Sequence, residues 1–203
     1  MLKTALDFMG CLNLKKKVIM NEGNWQKAIF ANGCFWCAEA VYQRLQGIKN
    51  VESGFTGGKI KNPAYREVVR GYTNHAEGIQ LDYNADLISY ETLVNVFFTT
   101  HDPTTLNRQQ YDVGKQYRSA IFYLNEEQKQ IAKKVIDKLN KTVFDGKIVT
   151  ELTEASEFYV AEEMHQNFYN QNNGSVGYCQ VIIDPKLKKL RESFSDLLQE
   201  PAS

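Results

Sequence analysis

Along the chain, short apolar runs alternate with stretches whose apolar residues recur at helical spacing. Residues 27–31 (KAIFA) form an apolar run closed by Asn32-Gly33, which predicts a buried strand. From Phe35 the period changes. Phe35, Ala38, Val41, Tyr42 and Leu45 line one helical stripe, and Gly47 stands where a C-terminal cap belongs. Residues 51–55 and 77–83 predict further strands, and residues 88–100 a helix stopped at His101-Asp102-Pro103. The run at 119–124 (SAIFYL) is the strongest strand signal, followed by a helix over 125–139. A strand over 148–152 and a helix over 159–170 come next. Tyr178-Cys179 and a short apolar run at 181–183 follow a glycine-containing loop that is expected to be mobile. Leu187, Leu190, Phe194, Leu197 and Leu198 then predict a terminal helix. Strand–helix alternation argues for a mixed α/β sheet covered by helices. Two polar stretches, 59–75 and 104–117, read as loops, and loops of that length in a compact domain commonly carry function.

The 203 residues suit one domain, residues 25–199, with an N-terminal extension over 1–24 and a tail over 200–203. Lys plus Arg and Asp plus Glu balance at 24 each, so charge offers no case for nucleic acid or an anionic membrane surface. No apolar run approaches a membrane span. Asp7 interrupts the N-terminal apolar residues and the lysine cluster follows them, the reverse of a signal peptide. The expected location is the cytoplasm, where cysteines are more often reactive or metal-binding than stapling.

Cys34 and Cys37 form a C-x-x-C pair at the expected helix start. Unsatisfied N–H groups there favour thiolate over thiol, so one sulfur can attack and the other resolve. Two other readings stand beside this one. One takes both cysteines as small buried hydrophobes. Zinc would need four ligands, and Cys11, Cys179 and the three histidines are scattered. Trp36 lies off the helical stripe and would wall a pocket beside the thiol as readily as it would pack. Spacing alone leaves Glu77, Tyr65, Tyr117 and Asp112 as ordinary surface, packing or turn residues.

Taken together, GCFWCAEAVYQRLQGI, SGFTGG, NPAYREV, NHAEGIQLDYN, HDPTTLNRQ, YDVGKQYRSAIFY, AEEMHQNFY and GYCQVIIDPK resemble, in order, the A-type peptide methionine-sulfoxide reductases. The likeness runs over about residues 26–195. It implies a two-layer α/β sandwich, with a ferredoxin-like core in a mixed sheet and long wrapping coils. It also implies an oxidoreductase that returns methionine-S-sulfoxide in oxidised proteins or peptides to methionine. Such an enzyme needs neither cofactor nor metal, passes through a sulfenic acid and a disulfide, and takes electrons from thioredoxin. A monomer is expected.

By the same resemblance Cys34 matches the nucleophile, and Phe35 and Trp36 the aromatic wall for the substrate methyl group. Glu77 matches the acid that protonates the sulfoxide oxygen, and Tyr65 and Tyr117 the hydroxyls that hold it. Asp112 matches a polar residue near the site that acts through water. Cys179 matches the usual resolving cysteine and is the expected first resolver, with Cys37 as competitor or relay. Cys11 lies outside the match and has no assigned role. One departure concerns the Asp112 loop: Gln110 and Tyr111 replace the family's usual glycine and asparagine, and glutamine resists conformations that glycine allows.

Overall fold

The computed structural model describes residues 23–172, 175 and 177–199. The N-terminal extension with Cys11 and the tail over 200–203 lie outside the described residues. Strand β1 (Trp25–Asn32) runs into α1 (Phe35–Tyr42), β2 (Ile48–Thr56), α2 (Tyr65–Val69), β3 (Ala76–Asn84) and α3 (Tyr90–Thr100). A small hairpin follows, β4 (Arg108–Gln109) and β5 (Asp112–Val113), and then β6 (Ser119–Tyr123) and α4 (Glu126–Thr142). Strands β7 (Glu151–Glu154) and β8 (Tyr159–Val160), the short α5 (Phe168–Gln171) and α6 (Asp184–Phe194) complete the order.

Six strands form one sheet in the order β7-β6-β1-β3-β2-β8. Its centre is β6-β1-β3-β2, all antiparallel neighbours, while β7 joins β6 in parallel. With α1 between β1 and β2, and α3 between β3 and β6, this is the ferredoxin-like arrangement. The main core lies between the sheet and the helices, where Phe30, Tyr42, Leu93 and Phe97 are fully buried. Phe30 stacks on Tyr42 at 5.3 Å between ring centroids. A smaller cluster, Ile29, Ala31, Ala76, Ala120 and Phe122, fills the opposite face and is covered by Ala155 and Phe158 from the coil. The sheet thus has helices on one side and wrapping chain on the other. No helix among the described residues is long and apolar enough to cross a membrane.

Four expectations from the residue pattern change. The stretch over 59–75 contains α2, whose first turn is closed by Glu67 accepting from the Ala64 N–H at 3.0 Å. The stretch over 104–117 contains the β4–β5 hairpin and a 3₁₀ turn at Lys115–Tyr117. The helix expected over 159–170 is instead strand β8, a 3₁₀ turn at Glu163–His165 and the single turn α5. The open edge of β2 captures this segment: β8 pairs with Gly54 and Phe55. A Cβ on Gly54 would stand 2.4 Å from the Tyr159 carbonyl oxygen, so the close approach requires glycine there.

The fourth change concerns Cys179. It lies not on an open loop but buried at the start of a wide π-type turn, Cys179–Ile183, continuous with α6. Pro185 sits in the first turn of α6. In a regular helix its ring would meet the carbonyl four residues back, and the widened turn makes room for it.

Candidate active site

Strand β1 ends at Asn32, and Gly33 at φ +98° turns the chain into α1. A side chain on Gly33 would collide with Gln109, its Cβ 2.7 Å from that residue's Cβ. Glycine therefore admits the β4–β5 hairpin against the start of the helix. Cys34 is the N-cap residue and its side chain makes no capping bond, which leaves the sulfur to face the site. Cys37 lies one turn on, its N–H donating to the Cys34 carbonyl at 3.1 Å.

The two thiols also shift each other's titration in opposite directions. Burial, and then the Cys37 side chain, pushes the Cys34 thiol well up. Cys37 is held down, first by the Cys34 side chain and also by the charge of Lys186. The Lys186 ammonium is buried and donates to the Thr100 carbonyl at 2.9 Å. This corrects the thiolate expected at Cys34 from the helix start. The first helix N–H, from Phe35, already donates to Glu77 Oε2 at 3.3 Å, and desolvation outweighs what remains of the helix-end field.

Glu77 stands on β3 opposite Phe55 of β2. It is 1% exposed. Burial pushes its carboxyl up to about 8, against the lowering effect of the Phe35 N–H, with Asp112 adding to the rise. Its Oε1 is buried and accepts no hydrogen bond among the described residues. The group is thus a neutral acid near pH 7 with one oxygen uncommitted.

Tyr65 opens α2 and Tyr117 closes the 3₁₀ turn. Burial pushes Tyr65 up to about 12, with Glu77, Cys34 and Asp112 adding to the effect. Tyr117 is raised by the same causes in the same order. Both phenols are therefore firm hydrogen-bond donors around the Cys34–Glu77 pair. Asp112 opens β5, and its Oδ2 accepts from the Tyr178 hydroxyl at 2.8 Å. That hydroxyl also contacts the Cys37 sulfur at 3.8 Å. The hairpin that carries Asp112 turns at Gln110 with φ +53°, a left-handed conformation where glycine would be unstrained.

That glutamine gives a direct test of the loop. A left-handed non-glycine residue costs about 1–2 kcal/mol, offset in part by glycine's greater freedom in the unfolded chain. Gln110→Gly is expected to raise stability by about 0.5 kcal/mol, read as a higher midpoint in urea. A lower midpoint would mean the glutamine side chain contributes more than its backbone costs.

Phe35, Trp36, Tyr65 and His165 pack as a cluster of rings. Tyr65 and His165 lie 4.0 Å apart between centroids, and Phe35 faces Tyr65 at 6.1 Å. Trp36 stacks on Phe168 at 3.7 Å with an interplanar angle of 8°. The structure thus brings Cys34, Cys37, Glu77, Tyr65, Tyr117, Asp112, Phe35 and Trp36 into one neighbourhood. Cys179 adjoins it through Tyr178. His165, Phe168, Tyr178 and Lys186 are the participants that residue patterns missed. Tyr178 directly precedes a cysteine, which is a usable signal; the other three read as packing or solvated positions.

Comparison with known proteins places this geometry in context. The peptide methionine sulfoxide reductase family model matches residues 26–198. The peptide methionine sulfoxide reductase MsrA of Deinococcus radiodurans is 52% identical over 175 residues, 86% of this chain and 84% of that relative. The protein of the same name from Chromobacterium violaceum is 50% identical over 175 residues, 86% of this chain and 99% of its own length. Among solved structures, methionine sulfoxide reductase A of Corynebacterium diphtheriae superposes with a TM-score of 0.72 at 31% identity, covering 79% of this chain and 80% of that one.

Proposed function

This chain belongs to the A-type peptide methionine sulfoxide reductase family, and we propose that it reduces methionine-S-sulfoxide in oxidised proteins or peptides at Cys34. The observation that carries the reading is Glu77: a carboxyl held neutral up to about pH 8, with Oε1 uncommitted, on the same backbone N–H that follows Cys34. A sulfoxide oxygen is a poor leaving group unless protonated, so thiol attack needs such an acid beside it. Tyr65 and Tyr117 would hold the oxygen as donors, and Phe35 and Trp36 would receive the methyl group. Asp112 would act by orienting Tyr178 and water at the edge of the site.

In this scheme the Cys34 sulfur attacks the substrate sulfur as its proton is released to solvent. Glu77 gives its proton to the sulfoxide oxygen, which transfers to Cys34 as hydroxyl. Methionine leaves, reduced by two electrons, and Cys34 becomes a sulfenic acid, oxidised by two. The second thiol then attacks Cys34, expels water and forms a disulfide, while Glu77 regains a proton from solvent. The shared helical turn supports Cys37 as the first partner, because Cys37 follows Cys34 by one turn with its N–H on the Cys34 carbonyl. Cys179, buried behind Tyr178, would take the bridge over by exchange with Cys37. Thioredoxin would reduce the final disulfide. We place the reaction in the cytoplasm, carried out by a monomer.

One experiment tests both halves. Reduced protein given a single equivalent of a chiral methyl sulfoxide should yield one equivalent of methionine-type sulfide from the S epimer. Disulfide mapping at the earliest times should then find Cys34–Cys37, with a Cys179-containing bridge later. No product from either epimer would overturn the activity, and an initial Cys34–Cys179 bridge would overturn the order.

A further inference from the structure

We propose that Glu39 is a positioning residue for the methyl-binding wall, acting through the Asn167–Phe168 backbone to fix the stacked Trp36–Phe168 pair. The inference rests on the reading of Phe35 and Trp36 as the methyl pocket.

Glu39 lies on α1, three residues beyond Trp36 and five beyond Cys34, and is 1% exposed. Its two carboxylate oxygens take two successive backbone donors. Oε1 accepts from the Asn167 N–H at 2.7 Å and Oε2 from the Phe168 N–H at 3.2 Å. Asn167 sits at φ +51°, a conformation asparagine tolerates and one that lets consecutive N–H groups converge on one acceptor. Only a carboxylate offers two acceptor oxygens at that spacing. Phe168, positioned in this way, returns to lie flat on Trp36 at 3.7 Å.

The result is a closed ring. One side is a helical turn from Trp36 to Glu39, another is the carboxylate grip, and the third is the aromatic stack. Trp36 Nε1 makes no hydrogen bond among the described residues, so ring packing orients the indole. The segment also needs a fixed height over the sheet, and Gln166 supplies it. Its Oε1 accepts from the Ser53 N–H and its Nε2 donates to the Ser53 and Ala161 carbonyls, all at 2.9 Å. Just beyond α1, half-buried Gln43 and Arg44 bond the exposed Asn170 side chain, and the Arg44 guanidinium lies over the Tyr169 ring at 4.8 Å, but none of these holds the Asn167–Phe168 backbone. A buried carboxylate is a costly way to join two elements if packing alone is needed. Its use here follows from the geometry it imposes.

The test is kinetic. Glu39→Gln keeps the side-chain shape and one acceptor oxygen. It is expected to raise KM for a methyl sulfoxide about tenfold, the equivalent of one strong hydrogen bond, with the saturating single-turnover rate within about twofold. The preference for methyl over ethyl sulfoxide should fall in parallel. Phe168→Ala should give the same signature. The double variant should be no worse than Phe168→Ala alone, since both changes act through one contact. Phe168→Leu, which retains bulk, gives a second approach from the segment's side and should raise KM without lowering the saturating rate. Additive losses, an unchanged methyl preference, or a fall in saturating rate at constant KM would each overturn the proposal. Wild-type protein that reduces no methyl sulfoxide would instead remove the underlying reading, so the two failures are separable.

Discussion

Cys34→Ser is expected to abolish turnover of methyl sulfoxides with dithiothreitol as reductant, a loss on the order of 10⁴-fold or more. A serine hydroxyl at that position has neither the nucleophilicity to attack sulfur nor a stable oxidised form to carry the transferred oxygen. The companion variant separates this chemistry from simple dithiol exchange. With Cys37→Ser, Cys34 still has Glu77 beside it through the Phe35 N–H. One equivalent of sulfide should therefore form and stop at a sulfenic acid, trapped by dimedone and read by mass. An exchange enzyme working through a C-x-x-C pair would lose its activity completely on removal of either sulfur, and would reduce insulin disulfides with no preference for sulfoxides. Full sulfoxide turnover by Cys34→Ser would sink the assignment of the nucleophile.

Glu77→Gln is expected to slow sulfenic acid formation by about 10²–10⁴-fold, the usual worth of a positioned proton donor. Glutamine can hold the Phe35 N–H and can offer a hydrogen bond, but it has no proton to give. In the wild type the single-turnover rate should fall as pH rises through about 8, where Glu77 ionises, and the variant should lack that limb.

Stability falls over the same rise in pH. A carboxyl whose folded pKa is raised stabilises the fold fully below its ordinary value, and that contribution is lost as pH climbs through the raised one. For Glu77 the window runs from about 4.5 to about 8, and the loss is on the order of a few kcal/mol. The glutamine variant escapes it and should melt higher than wild type at pH 9. Glu39, raised to about 7 by burial, adds a loss of the same sign that remains in both proteins. Equal melting temperatures at pH 9 would argue that Glu77 is better solvated than its burial implies.

The central sheet was legible because its strands satisfy themselves locally. Residues 27–31 and 119–124 are apolar runs between turn formers, and they became the cores of β1 and β6. Helix α3 announced itself by spacing and by its stop at His101. Residues 159–170 misled because Tyr159, Val160, Met164, Phe168 and Tyr169 fall near helical spacing. Whether such a segment coils or pairs depends on an open strand edge over a hundred residues away, and on Gly54 being small enough to admit it. No local window contains that information. The site divides in the same way. A C-x-x-C pair at a helix start suggests thiol chemistry on its own, and Cys34 and Cys37 do share a helical turn. Glu77 becomes an acid only through burial beside α1, and Tyr65 and Tyr117 become donors only by converging on it. The resemblance to a family named those residues where spacing could not. His165 and Phe168 escaped both routes, because an aromatic or imidazole ring in an apolar stripe reads as packing until its stacking partners are known.

The burial of the sulfurs has a consequence for how the protein endures its working conditions. Cys34 and Cys37 are only 7% and 3% exposed, and Cys34 is held as a thiol by its surroundings. Peroxide drives a cysteine toward sulfinic and sulfonic acids fastest when the sulfur is an exposed thiolate. If Cys34 is the nucleophile as proposed, its shielding and raised thiol would offer peroxide little to react with between substrates. In the proposed cycle an oxidised Cys34 would have Cys37 one helical turn away, to form a disulfide before a second oxygen is added. The same desolvation that raises the Cys34 thiol would thus shield it where peroxide is most abundant.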